Sequence, residues 1–325
     1  NWDGLLPVPG DGSYEWDGYF DMDVLPEEYN PDRGFSGTAN AMSLPADYPI
    51  ADYKVGFEWS APWRYKRLWE VLEKDDRHSM QASLDLQRDY HSILARQVIK
   101  RLPKLARSNK ESGGPMLTRW DQRLEADSPA AALWNIWYSR HLNSGLATLV
   151  NARIAEVMAE EEIPLDSLTV LDLLDTKAGR KIASNTLQAA WQETKDLLGA
   201  DASVWRWGDL HQIKFEHPLL HLDDDDDVKQ EMSIQPYPRG GSGNTTNNTN
   251  YDPEDFLVKS GASFRMVVDV GNWDAARMTN APGQSGNPQS KFYDNLLQNW
   301  AAEGHIPMLF SRASVRKSAV QRIEL

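Results

Sequence analysis

The sequence contains no cysteine. That excludes disulfides and thiolate chemistry, and it leaves the compartment open. No run of 18 or more apolar residues occurs, so no segment reads as a membrane-spanning helix. No secretion signal opens the chain; in a processed piece, such a signal would have stood on an upstream segment. Positive charge is in deficit, with 34 Lys and Arg against 48 Asp and Glu and a formal net charge of −14. A surface of that sign repels phosphate backbones and argues against general nucleic-acid binding. What is present suits a folded protein. The 325 residues are 41% hydrophobic and include 13 Trp, enough for one large domain or two ordinary ones.

The pattern divides into three stretches. Residues 1–60 are rich in Gly, Pro and aromatics. Pro7, Pro9, Pro26, Pro31 and Gly34 forbid long helices there, so short strands and turns are expected. Residues 61–203 read as helical. Ser60 is placed to cap a helix with Pro62 in its first turn. Ser79 is placed to cap a second, with Met80, Leu84, His91, Leu94, Val98 and Leu102 on one face and Pro103 at its end. Ser128-Pro129 opens a third. Leu187, Ala190, Trp191, Thr194 and Leu198 form a further stripe, with Gly199 at the C-terminal cap position. These stripes read as core faces. Residues 204–325 return to mixed structure, with strands expected over 263–270 and at Met308-Leu309-Phe310, and a polar loop over 235–250. Helices set between two strand-bearing ends predict an α+β domain with a helical excursion.

Several local patterns invite chemistry. His211, His217 and His221 precede an acidic run at 223–227. Zinc needs three or four ligands converging tetrahedrally, and Pro218 breaks any helix that would align His217 with His221, so the cluster reads as structural. The acidic run lacks the glycine and spaced ligands of a calcium loop and reads as a solvated loop. Ser285 in Gly283-Gln284-Ser285-Gly286-Asn287 has Gly two residues before it but Asn two residues after, which fails the nucleophile-elbow pattern. It reads as a tight turn whose glycines permit positive φ. Asn244-Thr245-Thr246 and Asn247-Asn248-Thr249 are formal glycosylation sequons that read as a polar loop.

The order of larger motifs is more specific. Gly34-Phe35-Ser36-Gly37-Thr38-Ala39-Asn40 stands near the start. Trp207-Gly208-Asp209-Leu210-His211 follows, then Phe215 and His217-Pro218-Leu219. Gly283-Gln284-Ser285-Gly286-Asn287-Pro288 leads to Tyr293-Asp294 and Trp300. Together these resemble the penicillin amidase family of N-terminal-nucleophile hydrolases, most strongly over 1–72 and 203–325. The resemblance implies an α+β, four-layer αββα sandwich with an inserted helical subdomain, here partial and completed by partner chains. It implies acyl transfer by a terminal Ser hydroxyl whose own α-amine acts as base.

Residue 1 here is Asn, whose carboxamide is not a nucleophile at neutral pH. The chain is therefore expected to be the C-terminal part of the β chain of an acylase. Its expected partners are the α chain and an N-terminal β segment that carries the nucleophile, all cut from one precursor. Asn40 matches the family's oxyanion-hole amide, although Ala41 stands where many relatives carry a second Asn. Arg64 matches an Arg that orients this Asn or the substrate, with Arg67 one helical turn on as its rival. Asp52 and the Gly4 carbonyl match ligands of a structural calcium, which needs six to eight oxygens. Phe57 and Trp59 are candidates for contact with the acyl group. The implied substrates are linear amides such as acyl-homoserine lactones, penicillin-type or related N-acyl compounds, and the implied location is the bacterial periplasm or exterior. A non-catalytic scaffold or binding subunit is the alternative.

Overall fold

The computed structural model describes residues 4–16, 18–75, 77–107, 112–161, 163–222 and 225–321. Asn1, at the chain start, and Asp223 and Asp224 of the acidic run lie outside the described residues, as does the side chain of His221. Nine helices occur among the described residues between 63 and 198. They are α1 (Trp63–Leu72), α2 (Met80–Gln87), α3 (Ile93–Lys100), α4 (Gly114–Arg119), α5 (Pro129–Ile136), α6 (Asn143–Ala147), α7 (Ala152–Glu160), α8 (Ser167–Leu174) and α9 (Lys177–Leu198). A π-helical turn, Trp137–Leu142, joins α5 to α6.

The caps follow from sequence. Ser79, Ser92 and Ser128 each accept the amide N–H three residues on, opening α2, α3 and α5. Gly199 closes α9 at φ 92°. Two details depart from expectation. Pro62, not Ser60, sits at the head of α1. The long second helix is two, because Tyr90 and Ser92 pair with backbone at 122–124: Ser92 N donates to Gln122 O at 2.9 Å, and Leu124 N to Tyr90 O at 2.9 Å. These tertiary bonds replace intrahelical ones and break the rod between α2 and α3.

The core lies among the helices. Trp63, Trp137, Trp205 and Trp207 are all buried, and their indole N–H groups find partners, as buried tryptophans require. Trp63 Nε1 donates to Ser167 Oγ at 2.7 Å and so ties α1 to α8.

Past this block come α10 (Trp207–Leu210), β1 (Gln212–Phe215), α11 (Asp226–Met232), β2 (Ile234–Pro238), β3 (Thr249–Tyr251) and β4 (Val258–Gly261). Then follow β5 (Arg265–Val267), β6 (Arg277–Thr279), α12 (Leu297–Ala301), β7 (Ile306–Pro307) and α13 (Arg312–Ser318). One sheet has the order β2-β1-β4-β3, the other β5-β6-β7. Pro236 and Pro238 are tolerated in β2 because it is an edge strand. The strand expected at 308–310 lies two residues earlier, and that expected over 263–270 shrinks to β5. The acidic run is not a plain loop: Asp225 caps α11, and Asp226 and Asp227 occupy its first turn, where negative charge suits the helix dipole.

Residues 4–60 depart most from expectation. Among the described residues they hold turns and one 3-10 turn, Met22–Val24, but no strand. A strand exists only where its backbone is paired. Trp16, Tyr19, Met22 and Tyr29 are exposed in the same segment.

Candidate active site

Asn40 ends its loop in the left-handed region at φ 61°, which Asn tolerates better than most residues with a Cβ. Its carbonyl accepts Ser60 N–H at 2.8 Å, and buried Ala41 holds the next position. This fastens the loop to the segment leading into α1. From the first turn of α1, Arg64 Nη2 donates to Asn40 Oδ1 at 3.2 Å. Burial draws the Arg64 pKa below its ordinary value, but a guanidinium stays charged at neutral pH. With its oxygen held, the exposed Asn40 amide keeps its N–H donors for a ligand. Arg67 points elsewhere, to buried Asp89 and to Glu70. Of the two arginines, the fold brings Arg64 to Asn40.

Arg64 lies on the wall of a cleft of about 330 Å³. Ser60 stands beside it, and Asn244, Asn248, Asn250 and Ser260 close the other side. Sequence reasoning missed these asparagines. Asn and Thr do not alternate over 244–250, so no residue-type pattern marked which of them would face the cleft.

Phe57 and Trp59, each about two-fifths exposed, do not line this cleft. Phe57 packs near Gly4, its ring edge 3.7 Å from where a Gly4 β-carbon would stand, and Trp59 lies against Gly56. Asp52 is exposed in a turn, its N–H donating to Pro49 O at 3.0 Å. Among the described residues no three His, Asp or Glu side chains converge on a metal-sized site.

His211 and His217 go separate ways. His211 is buried, stacked on Trp207 at 4.6 Å, with Nδ1 2.9 Å from Phe256 O. Burial lowers its pKa to about 4. The neutral ring is thus favoured by folding. Its contribution is complete above the unfolded value near 6.5 and is lost as pH falls toward 4, where the unfolded chain binds the extra proton. Unfolding free energy measured from pH 7 to 4 should fall by on the order of 3 kcal/mol from this group, and His211→Phe should flatten that slope. His217 accepts Leu219 N–H at Nδ1 (3.1 Å), and its Nε2 lies 2.9 Å from Gly286 O, linking its loop to the Gly-Gln-Ser-Gly turn. That turn needs glycine for a different reason from the expected one. Gly283 and Gly286 do not have positive φ. A β-carbon at Gly283 would instead stand 2.2 Å from Phe292 O, so the backbones approach too closely for any side chain. Ser285 Oγ accepts Asn287 N–H at 3.1 Å within the turn.

A family model described as penicillin amidase matches residues 1–317 of this sequence. The chain belongs to the penicillin amidase family. Among the relatives of this penicillin amidase family member is the acyl-homoserine lactone acylase QuiP of Pseudomonas putida, 30% identical over 332 residues, which cover 91% of this chain and 40% of that protein. The penicillin acylase 2 proenzyme of Pseudomonas sp. strain SE83 is 27% identical, over 99% of this chain and 42% of that protein. The chain thus spans about two-fifths of the curated relatives it matches. In structure it resembles a thermostable penicillin G acylase from Alcaligenes faecalis, with a TM-score of 0.60 over 98% of this chain and 62% of that one, at 20% identity. That likeness places the α+β fold of this family member.

Proposed function

We propose that this chain is one part of a penicillin-amidase-type acylase that hydrolyses a linear amide, with the attacking hydroxyl supplied by a terminal Ser outside these residues. The observation that carries the reading is the hydrogen bond from Arg64, which lines a cleft, to Asn40. It leaves an uncharged N–H donor poised for an oxyanion. The hydroxyl oxygen bonds to the amide carbon and its proton passes to the α-amine. The Asn40 amide stabilises the tetrahedral oxyanion. The C–N bond then breaks, and the proton goes to the departing amine. Water repeats the sequence on the ester, releasing the acid and restoring the hydroxyl. Arg64 is the positioning residue, and Phe57 and Trp59 contribute to the acyl side once the remaining polypeptide is in place. Asp52 and the Gly4 carbonyl would join oxygens from that polypeptide around a structural calcium.

The exposed aromatics at 16–29 support docking of that polypeptide here, because patches of this kind are seldom left bare. One relative is named a proenzyme, which supports an origin by processing of a precursor. A periplasmic or secreted location goes with this reading. The test is a quench of the complete enzyme during turnover of an N-acyl substrate, followed by intact mass. One polypeptide, not this one, should gain the mass of one acyl group. No gain on any polypeptide favours a non-catalytic scaffold.

A further inference from the structure

The stretch that read from sequence as a polar loop is a constructed wall. From 244 to 250 its side chains alternate. Thr245, Asn247 and Thr249 are 0%, 1% and 2% exposed, whereas Asn244, Asn248 and Asn250 face the cleft beside Arg64. The buried residues anchor it. Thr245 Oγ1 donates to Asn247 O at 2.8 Å, and Thr249 Oγ1 to Gly240 O at 2.7 Å. Asn248 braces it: its Nδ2 donates to Gly243 O at 3.3 Å, and its Oδ1 accepts Asn250 N–H at 3.2 Å. A β-carbon at Gly243 would lie 2.6 Å from Asn250 Oδ1, so glycine there leaves the space that the Asn250 amide fills.

Among the described residues, the Asn244 and Asn250 carboxamides and the Ser60 and Ser260 hydroxyls have no hydrogen-bond partner, and Arg64 is the sole charged residue on the cleft. An apolar acyl chain laid here would leave these groups unpaired, which is costly. A fragment rich in carbonyl oxygens would pair them, and the Arg64 charge would repel a cation.

We propose that Asn244 and Asn250 select the amine half of the substrate, favouring amines that carry carbonyl or carboxylate acceptors and no positive charge. This rests on the acylase reading above and extends it to the leaving group. The wall acts on the fragment that departs, not on the acyl-enzyme that remains.

The test uses the complete enzyme and three amides sharing one acyl group. The amines are homoserine lactone (neutral), a β-lactam amine bearing a carboxylate, and aniline (no acceptor). In Asn244→Ala/Asn250→Ala, kcat/KM for the first two should fall about tenfold relative to the anilide, and the anilide by less than about twofold. An equal fall on all three, or none, overturns the proposal. Asn250→Asp keeps the shape and adds a negative charge. It should penalise the carboxylate-bearing amide more than the lactone, and equal loss counts against the proposal. Calorimetry of the free lactone and free β-lactam amine, at a pH where their amino groups are unprotonated, gives a readout without turnover. The double variant should bind each about tenfold more weakly. Unchanged affinity, or no binding of either by the unaltered enzyme, overturns the proposal. An enzyme that binds both in the expected order yet cleaves no amide sinks the acylase reading alone.

Discussion

Asn40→Gly in the complete enzyme should lower kcat by about 10²–10³-fold, the usual cost of losing one side-chain donor to an oxyanion. Glycine is the informative replacement because Asn40 sits at φ 61°. It removes the amide and keeps the backbone unstrained, so thermal stability should hold while turnover collapses. Alanine would mix that loss with strain at the same φ. Asn40→Asp should be as inactive, since a carboxylate salt-bridged to Arg64 repels a developing oxyanion instead of donating to it. Arg64→Lys separates positioning from donation. It keeps the charge but loses the fork that holds Asn40 Oδ1, so kcat should fall with little change in KM, and less than in Asn40→Gly. The measurement is steady-state kinetics with one N-acyl substrate. Near-normal kcat in Asn40→Gly would remove this amide from the oxyanion site and with it the proposed role of Arg64.

The second large effect concerns stability. Glu303→Ala should destabilise the protein by about 3–5 kcal/mol, because it strips the counter-charge from two buried guanidiniums. The Arg239 and Arg265 side chains are 1% and 3% exposed, and both reach Glu303. Arg239 also stacks over the Trp300 ring at 4.2 Å, and Tyr90 Oη donates to Glu303 Oε1 at 2.6 Å. Burial pushes the Glu303 carboxyl up, but Arg239 and Arg265, with hydrogen bonds from Tyr90 and Arg265, outweigh it and hold the pKa below its ordinary value. A carboxyl depressed in this way stabilises the fold above the unfolded pKa. That share is lost as pH falls from the ordinary carboxylate range through the lower folded value. Tyr90→Phe, which removes one neutral donor, should cost about 1 kcal/mol. Chemical denaturation of the complete enzyme distinguishes the two. A loss for Glu303→Ala no larger than for Tyr90→Phe would show the guanidiniums to be solvated.

Much of this was legible in the sequence where the determinant is local. Ser79, Ser128 and Gly199 mark helix ends because a cap needs only its own turn. The Asn40 and Arg64 candidates came from motif resemblance, and the fold joins them across 24 residues. Legibility failed where long-range pairing decides. The break between α2 and α3 depends on backbone at 122–124. The missing strands of residues 4–60 would need an edge elsewhere. The asparagine wall went unread because sequons suggest exposure, while burial of Thr245, Asn247 and Thr249 sets its direction. The Glu303 lock gave no signal at all, since its charges lie far apart in sequence.

That distance bears on folding. Glu303 stands 213 residues after Tyr90, and both arginines precede it. Closing this contact needs chain segments more than two hundred residues apart to meet, an entropic cost that a helix cap, satisfied within its own turn, never faces. Without Glu303 the two guanidiniums would have no carboxylate to meet. The ion network therefore ties Tyr90, between α2 and α3, to Arg239, which follows β2, and to Arg265 of β5 through a single carboxylate.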